Sequence, residues 1–476
     1  VQRPWVDPSP AATRRFLDDV PAYAGDDDPT FWEPDRRDEM RSKLLVRQLG
    51  WNAAAGRYYR EAGLDPTAVS DLHDLAKLPV TTKSDLMRDP GAFRLTFDAP
   101  TLYDLTYTTV YTTGTTTGRP TPYEYTSHDW LGVLLAGKRG MKSLGVLPGD
   151  IWLHGFPLSP IPHVAGFAAH LPGTAGATYV HGMTGMPHPE FGVHRPVSGL
   201  ADLVEELRPQ VLSGVGSFLR RMFADAAAMG RDFSSLAMIV ASGETLTEKM
   251  RLHMHDQLDE LGASEVLIAS PYGFTEGGYQ FGPCYEGGPL HNTAPDQILL
   301  EVVDPDTHEP LEDGVVGAVA VTHLNRRGMP LVRYLLGDLG AMTHETCSRC
   351  GRTAESLLIS AGSAHIVRSS ELLKIKGTLV NPQVIHNVVM DAPAVLEYQL
   401  AVRHAVEGDP MSEDLLLLRV AARPGAHVEV DALRQAVRDA CEVTPRVEIV
   451  ADPSQIYDPA SDFKARRLID ERSPAS

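Results

Sequence analysis

The sequence predicts an α/β fold: a large N-terminal domain of several subdomains with mainly parallel sheets, then a small α+β C-terminal domain. Three features point that way. Between residues 150 and 270, short apolar runs recur about every 25 to 35 residues with helix-like stretches between them, the signature of βαβ units. From Ile298 the runs crowd together, as in an antiparallel or barrel-like subdomain. Beyond about residue 370, two strand-like and two helix-like segments make a compact unit of roughly 100 residues.

Taken in order, the first hundred or so residues read as mostly helical. Met40, Leu44, Leu45, Val46 and Leu49 fall on one face, followed by Tyr58, Tyr59 and a Gly63 stop. Strands are expected at 151–153, 177–180, 209–212, 237–240 and 266–269, and then at 298–303 and 317–322. The C-terminal segment should carry strands near 398–401 and 415–420 and helices near 382–390 and 430–441.

Composition narrows the function. With 62 acidic against 43 basic side chains the chain carries a formal charge of -19. That balance repels phosphate backbones, so no nucleic-acid partner is expected. No stretch reaches the ~18 apolar residues of a membrane span. Residues 1–13 are proline-rich and polar, without the basic-then-apolar pattern of a signal segment. A cytoplasmic protein with no membrane partner is the expectation. A homodimer is one open assembly.

Four cysteines in 476 residues cannot make a disulfide framework. Cys347 and Cys350 form a C-x2-C pair, and Cys284 is followed by His291 with six residues between. Three thiolates and one imidazole complete a tetrahedral zinc set with no open position, so a structural zinc is expected on Cys284, His291, Cys347 and Cys350. Cys441 sits in an apolar-periodic segment and reads as a core residue.

The most specific segment is Tyr111-Thr112-Thr113-Gly114-Thr115-Thr116-Thr117-Gly118-Arg119-Pro120. Glycines permit a tight loop with converging N–H groups, and the hydroxyls add donors, a combination that cradles phosphate oxygens. Gly-Lys-Ser/Thr is missing, and Pro120 and Pro122 disfavour an immediate helix, so a Walker loop is excluded. Tyr123-Glu124-Tyr125-Thr126 alternates like a strand, which makes this a strand–loop–strand clamp.

That loop resembles the phosphate-binding signature of the adenylate-forming superfamily. Further segments resemble its motifs in family order. They are Ser242-Gly243-Glu244-Thr245-Leu246, Ser270-Pro271-Tyr272-Gly273-Phe274-Thr275-Glu276, Val332-Arg333-Tyr334 through Gly337-Asp338-Leu339, Leu373-Lys374-Ile375-Lys376-Gly377, and Lys464-Ala465-Arg466-Arg467. Residues 72–85 and Cys350-Gly351-Arg352 are similar to the phenylacetate–CoA ligase branch. The resemblance implies domains at 1–368, holding ATP, the acid and the zinc knuckle, and at 369–476, a mobile domain that delivers Lys464.

It also implies roles. Thr112, Thr113, Gly114, Thr115, Thr116, Thr117 and Arg119 would hold the ATP phosphates. Gly243, Glu244, Ser270, Pro271, Tyr272, Asp338, Arg368 and Lys376 would line the nucleotide, with Tyr272 on adenine and Asp338 on the ribose. Glu276, beside Thr275, would hold Mg2+ through hard oxygen contacts. Lys464 would place positive charge on the developing phosphorane. His163, Gly214 and Gly273 would line the acid pocket. The other histidines between His154 and His194 read as structural.

The reaction so implied is ATP-dependent adenylation of an aromatic or small acid, followed by thioester formation with CoA. The chain departs from the pattern at Arg119, where the family has lysine, and at Phe463, where it has glycine. It departs also at Asn381 and in the hinge segment Val367-Arg368-Ser369-Ser370-Glu371, where β-branched Val367 absorbs a φ/ψ change poorly. These departures keep a rival open: attack on the adenylate by a nitrogen nucleophile, as in amide formation or nitrite-dependent diazotisation of an arylamine in secondary metabolism. A non-enzymatic zinc-bearing scaffold is disfavoured by the joint presence of Glu276, Asp338 and Lys464.

Overall fold

A computed structural model describes residues 27–98, 100–111, 121–156, 169–184, 195–243, 246–358, 367–368, 373–375, 378–380, 382–406, 412–423, 425–456 and 467–472. By their contacts the residues gather into two compact units. One lies within Val1–Trp152, Ser159–Tyr179 and Ala269–Ile366, the other within Leu153–Leu158, Val180–Ile268 and Val367–Ser476. The 1–368 and 369–476 domains expected from the sequence return below as a proposal.

In the first unit the helix Pro34–Ala55 starts with proline at its first turn and Asp35 near its positive end. Its buried side mixes Leu44, Leu45 and Leu49 with Arg37, Arg41 and Gln48. Val46, expected on that face, is 38% exposed, because the buried stripe advances by three and four residues and passes it by. Gly63, at φ +70°, follows the short helix Arg57–Glu61 and supplies the expected stop.

The strands Thr106–Tyr111 and Pro122–Thr126 pair antiparallel and flank the threonine-rich segment. Thr126 and Asp129 then cap the helix Ser127–Leu144 reciprocally. An antiparallel sheet follows, in the order Leu290–His291, Ser356–Leu358, Tyr334–Thr343, Gly317–His323, Ile298–Val303. Its last two strands were legible in the apolar runs.

The second unit is built on a sheet ordered Thr178–His181, Ile151–His154, Val211–Gly214, Met238–Ala241, Leu267–Ala269. All five expected strands are present, displaced by no more than two residues, and the central pair is parallel. The helices Val197–Leu207, Gly216–Ala228 and Glu248–Glu260 bury Leu200, Phe218, Phe223 and Met254 in one core with Leu212 and Ile239.

The same unit holds a four-stranded sheet ordered Arg446–Val450, Asp414–Ala422, Val395–His404, Leu468–Asp470. Its central pair is antiparallel and its outer pairs parallel. The helices Pro382–Met390 and Val430–Cys441 occupy the positions read from the sequence. Cys441 packs against the core beneath them, as expected. Among the described residues no helix is long and apolar enough to cross a membrane.

Candidate active site

Tyr272–Gly273 and Gln280–Phe281 form a short antiparallel hairpin whose turn carries Thr275 and Glu276. The turn closes through the Gly278 N–H, which donates to the Phe274 carbonyl at 3.1 Å. Gly278 adopts φ +72°, and a Cβ there would lie 2.7 Å from the Tyr125 hydroxyl. Only glycine lets the turn sit against that tyrosine. Glu276 is 8% exposed, and the Tyr334 hydroxyl donates to its Oε1 at 3.0 Å. Burial raises the Tyr334 phenol well above its ordinary value, so it stays a donor at neutral pH.

Asp338 stands on the strand Tyr334–Thr343, opposite an irregular stretch of Gly317–His323. There Ala318 pairs with Leu339 and Ala320 with Leu335, so two steps on one strand face four on the other. The surplus forms a bulge at Asp338, with Gly337 at φ +81°. The Tyr272 hydroxyl donates to Asp338 Oδ2 at 2.5 Å. Two residues chosen from separate motifs thus meet directly. Ser270 and Gly273 sit at the two ends of the Tyr272 segment, and Pro271 faces a narrow cleft lined also by Gly137, Gly140 and Tyr279.

In the second unit, Gly214 ends the strand Val211–Gly214, and Gly243, at φ +86°, follows Met238–Ala241. Both mark carboxyl ends of parallel strands, where α/β sheets bind ligands. Next to Gly214, Ser213 Oγ hydrogen-bonds Nδ1 of buried His154 at 3.0 Å, and His181 Nδ1 accepts from the Met183 N–H at 2.9 Å. Both histidines thus have a hydrogen-bond partner within the fold. Arg368 belongs to the short strand Val367–Arg368. Thr112, Thr113, Gly114, Thr115, Thr116, Thr117, Arg119, His163, Glu244, Lys376 and Lys464 lie outside the described residues.

The four metal candidates converge in the first unit. Cys284 Sγ lies 3.7 Å from Cys347 Sγ and 3.2 Å from His291 Nε2, and Cys350 Sγ is 3.5 Å from the same nitrogen. All four ligand atoms fall within 4.8 Å of one another. Tetrahedral zinc, with bonds of about 2.0–2.3 Å, sets its ligand atoms roughly 3.3–3.8 Å apart, so the donors fit. The ring of His291 is oriented by Ser356 Oγ, 2.9 Å from Nδ1, which leaves Nε2 for the cysteines. Gly351, at φ +75°, lets the Cys347–Cys350 turn close, its N–H donating to the Cys347 carbonyl at 2.8 Å. Burial and the neighbouring thiols push the Cys284 thiol up to about 12, a cost that a bound cation removes.

Residues that the sequence did not mark also bear on this site. Tyr125 donates its hydroxyl to the Thr275 carbonyl, and Arg326, wholly buried, donates to the Gly277 carbonyl at 3.2 Å. In sequence Tyr125 is one apolar step of an alternating strand and Arg326 one of two adjacent arginines, so neither carried a signal.

Comparison with known proteins follows these features. Residues 61–325 match the family model described as AMP-binding enzyme. A phenylacetate–coenzyme A ligase from Thermus thermophilus is 33% identical over 377 residues, covering 76% of this chain and 78% of that protein. A second, from Aromatoleum evansii, is 27% identical, covering 92% and 95%. The crystal structure of a 2-hydroxyisobutyryl-CoA ligase in the postadenylation state superposes with a TM-score of 0.76 at 22% identity, covering 93% of this chain and 91% of that one. The last likeness establishes the fold.

Proposed function

The chain belongs to the AMP-binding enzyme family, in the phenylacetate–CoA ligase-like branch of the adenylate-forming superfamily, and is an AMP-forming ligase; from that premise we propose that it joins an aromatic or small carboxylic acid to CoA. A carboxylate oxygen attacks the α-phosphorus of ATP and pyrophosphate leaves. The CoA sulfur then attacks the acyl carbon and AMP leaves. The observation that carries this reading is the arrangement around one strand. Tyr334 ties down Glu276, and four residues on, Asp338 receives Tyr272.

The roles follow from chemistry. Asp338 and Tyr272 hold the nucleoside, the latter by stacking. Glu276, near-buried and acceptor-only, has the hard oxygen donors that suit Mg2+, which would neutralise phosphate charge. The threonine-rich segment at 112–117 binds phosphate, with Arg119 as a forked donor in place of lysine. Lys464, carried on a mobile domain at 369–476, adds positive charge to the transition state. Zinc on Cys284, His291, Cys347 and Cys350 is structural.

The test is pyrophosphate release from ATP with a panel of aromatic and short-chain acids, followed by CoA consumption. A chain that forms adenylate but ignores CoA, while passing the acyl group to an amine or reacting with nitrite, is the second reading. The features that favour it are β-branched Val367 in the segment where the family has its hinge motif, and Phe463 where the family has glycine.

A further inference from the structure

The turn that carries Glu276 is gripped on three sides from the interior of the first unit. Its carboxylate takes the Tyr334 hydroxyl at 3.0 Å. The peptide carbonyl before it, that of Thr275, takes the Tyr125 hydroxyl. The carbonyl after it, that of Gly277, takes the Arg326 guanidinium at 3.2 Å. Arg326 in turn lies over the Tyr125 ring at 3.9 Å and the Tyr123 ring at 5.1 Å, with Asp129 Oδ2 at 3.6 Å. Tyr123, Tyr125, Asp129, Arg326 and Tyr334 are each no more than 1% exposed.

Such a cluster is an expensive way to hold a turn. Taking a guanidinium out of water costs several kcal/mol, and well-packed apolar groups often serve stability as well or better. Here the buried charge has one polar task on the turn itself, the Gly277 carbonyl, and its stacking fixes Tyr125, which has the other. Tyr125 belongs to Pro122–Thr126, the strand that leaves the threonine-rich segment, so the brace joins that strand to the Glu276 turn. Arg333, at φ +45° and nearly buried, donates its N–H to Thr322 Oγ1 at 2.9 Å and its guanidinium to the carbonyls of Leu78 and His308. A left-handed arginine clamped in this way sets the path of the chain into Tyr334.

We propose that Tyr334, Tyr125 and Arg326 are positioning residues for adenylation: they hold the Glu276 carboxylate in a fixed attitude to bind the divalent cation that accompanies ATP. This rests on the reading of Glu276 given above. Tyr334 restrains the carboxylate directly, and Tyr125 and Arg326 restrain it through the two peptides that flank it. A carboxylate already held in place loses little freedom when it meets the cation.

The experiment uses the full-length chain and Tyr334→Phe, which removes one hydroxyl and nothing else. Pyrophosphate release is followed against Mg2+ at saturating ATP, and the Mg2+-dependent part of the ATP-induced rise in unfolding midpoint is measured alongside. The expected result is a Mg2+ half-saturation about three- to tenfold higher, the equivalent of one net hydrogen bond. The Mg2+-dependent midpoint rise should shrink, with ATP affinity in the absence of metal unchanged. An unchanged Mg2+ dependence in both measurements overturns the role of Tyr334.

Tyr125→Phe and Arg326→Lys should show the same signature. If they lower only the unfolding midpoint, they are structural and that part of the proposal fails; if Arg326→Lys does not fold, Tyr125→Phe decides it. Wild-type and Glu276→Gln proteins separate this failure from that of the underlying reading. A wild-type chain that releases no pyrophosphate, or a Glu276→Gln chain with normal Mg2+ dependence, removes the assignment of Glu276 and the brace with it.

Discussion

The Tyr272 hydroxyl donates to Asp338 Oδ2 across 2.5 Å, so the aromatic ring expected on adenine and the carboxylate expected on ribose are joined to each other. The two contribute unequally. Asp338→Ala removes the charged acceptor and should weaken ATP binding by about 1.5–3 kcal/mol, the range for hydrogen bonds to charged groups. Tyr272→Phe keeps both ring and carboxylate and should cost about 1 kcal/mol or less. Calorimetric titration with ATP measures both. Equal effects, or none, contradict the assignment.

The cysteine cluster makes a prediction about content and stability. Purified protein should carry about one zinc per chain, since the donor set is closed and leaves no position for substrate. Cys347→Ser should lower the unfolding midpoint and the zinc content together. Pyrophosphate release per folded molecule should hold close to the wild-type rate. Metal-free protein with an unchanged midpoint would count against a structural zinc.

How much of this was legible in the sequence depended on the kind of signal. The five strands of the sheet that contains Val211–Gly214 were found because each is a short apolar run. The convergence of Cys284, His291, Cys347 and Cys350 was legible because ligand chemistry restricts residue type, so they stand out at any distance along the chain. Val46 was misplaced because its apolar side chain was counted without the buried arginines that define the true face. The contact of Tyr272 with Asp338 was not legible at all. It depends on a bulge between Leu335 and Leu339, and a surplus of two residues in a strand leaves no mark on composition. Arg326 was missed for a related reason: one of two adjacent arginines reads as surface, and its burial comes from a cage of Tyr123, Tyr125 and Asp129 about 200 positions away.

Acid stability should be governed in part by Glu355. Burial pushes its carboxyl up, but the Arg41 guanidinium at 2.7 Å and the Asn292 amide at 2.7 Å outweigh it, and the net direction is down from 4.5. The unfolded state therefore binds the proton more readily than the folded state. The stabilisation is complete above the unfolded value and is lost as pH falls from there through the folded value. Glu355→Gln should be less stable than wild type at pH 7, and the gap should narrow progressively below about pH 4.5. Thermal midpoints from pH 7 to pH 3 follow the effect. A gap that stays constant over that range excludes Glu355 as the titrating group.

On the function proposed above, Lys464 and the hinge segment would separate the two half-reactions. Lys464→Ala should abolish pyrophosphate release while leaving ATP binding nearly intact, because its charge acts mainly in the transition state. Ser370→Pro fixes φ and should block rotation. If CoA is the acceptor, that variant forms acyl-AMP and no thioester. If a small nitrogen nucleophile reaches the adenylate without rotation, product continues to form at close to the normal rate. Loss of adenylation itself in Ser370→Pro would place the hinge elsewhere.

The short strand that follows Lys464 in the sequence is anchored by a buried charge cluster. Three residues beyond Lys464, Arg467 donates to Glu397 Oε1 at 2.5 Å, and Glu397 Oε2 faces Arg220 of the helix Gly216–Ala228 at 3.4 Å. The Glu397 side chain is 0% exposed and Arg220 5%. Arg467 also lies over the Tyr398 ring at 4.8 Å, and its carbonyl accepts from the Leu400 N–H at 2.8 Å, so the start of Leu468–Asp470 is anchored twice to the same strand. Removing the carboxylate leaves two guanidinium groups facing each other, that of Arg220 almost wholly buried. Glu397→Ala should therefore destabilise the fold by about 3–5 kcal/mol, the cost of breaking a buried pair from one side. Arg467→Met removes the charge nearer the surface, leaves Glu397 with Arg220, and should cost less. If this anchor helps to place Lys464, three residues before it in sequence, Arg467→Met should slow pyrophosphate release without weakening ATP binding. Denaturant unfolding and single-turnover adenylation on the two variants test both halves. Normal adenylation by Arg467→Met would show that Lys464 is placed independently of this anchor.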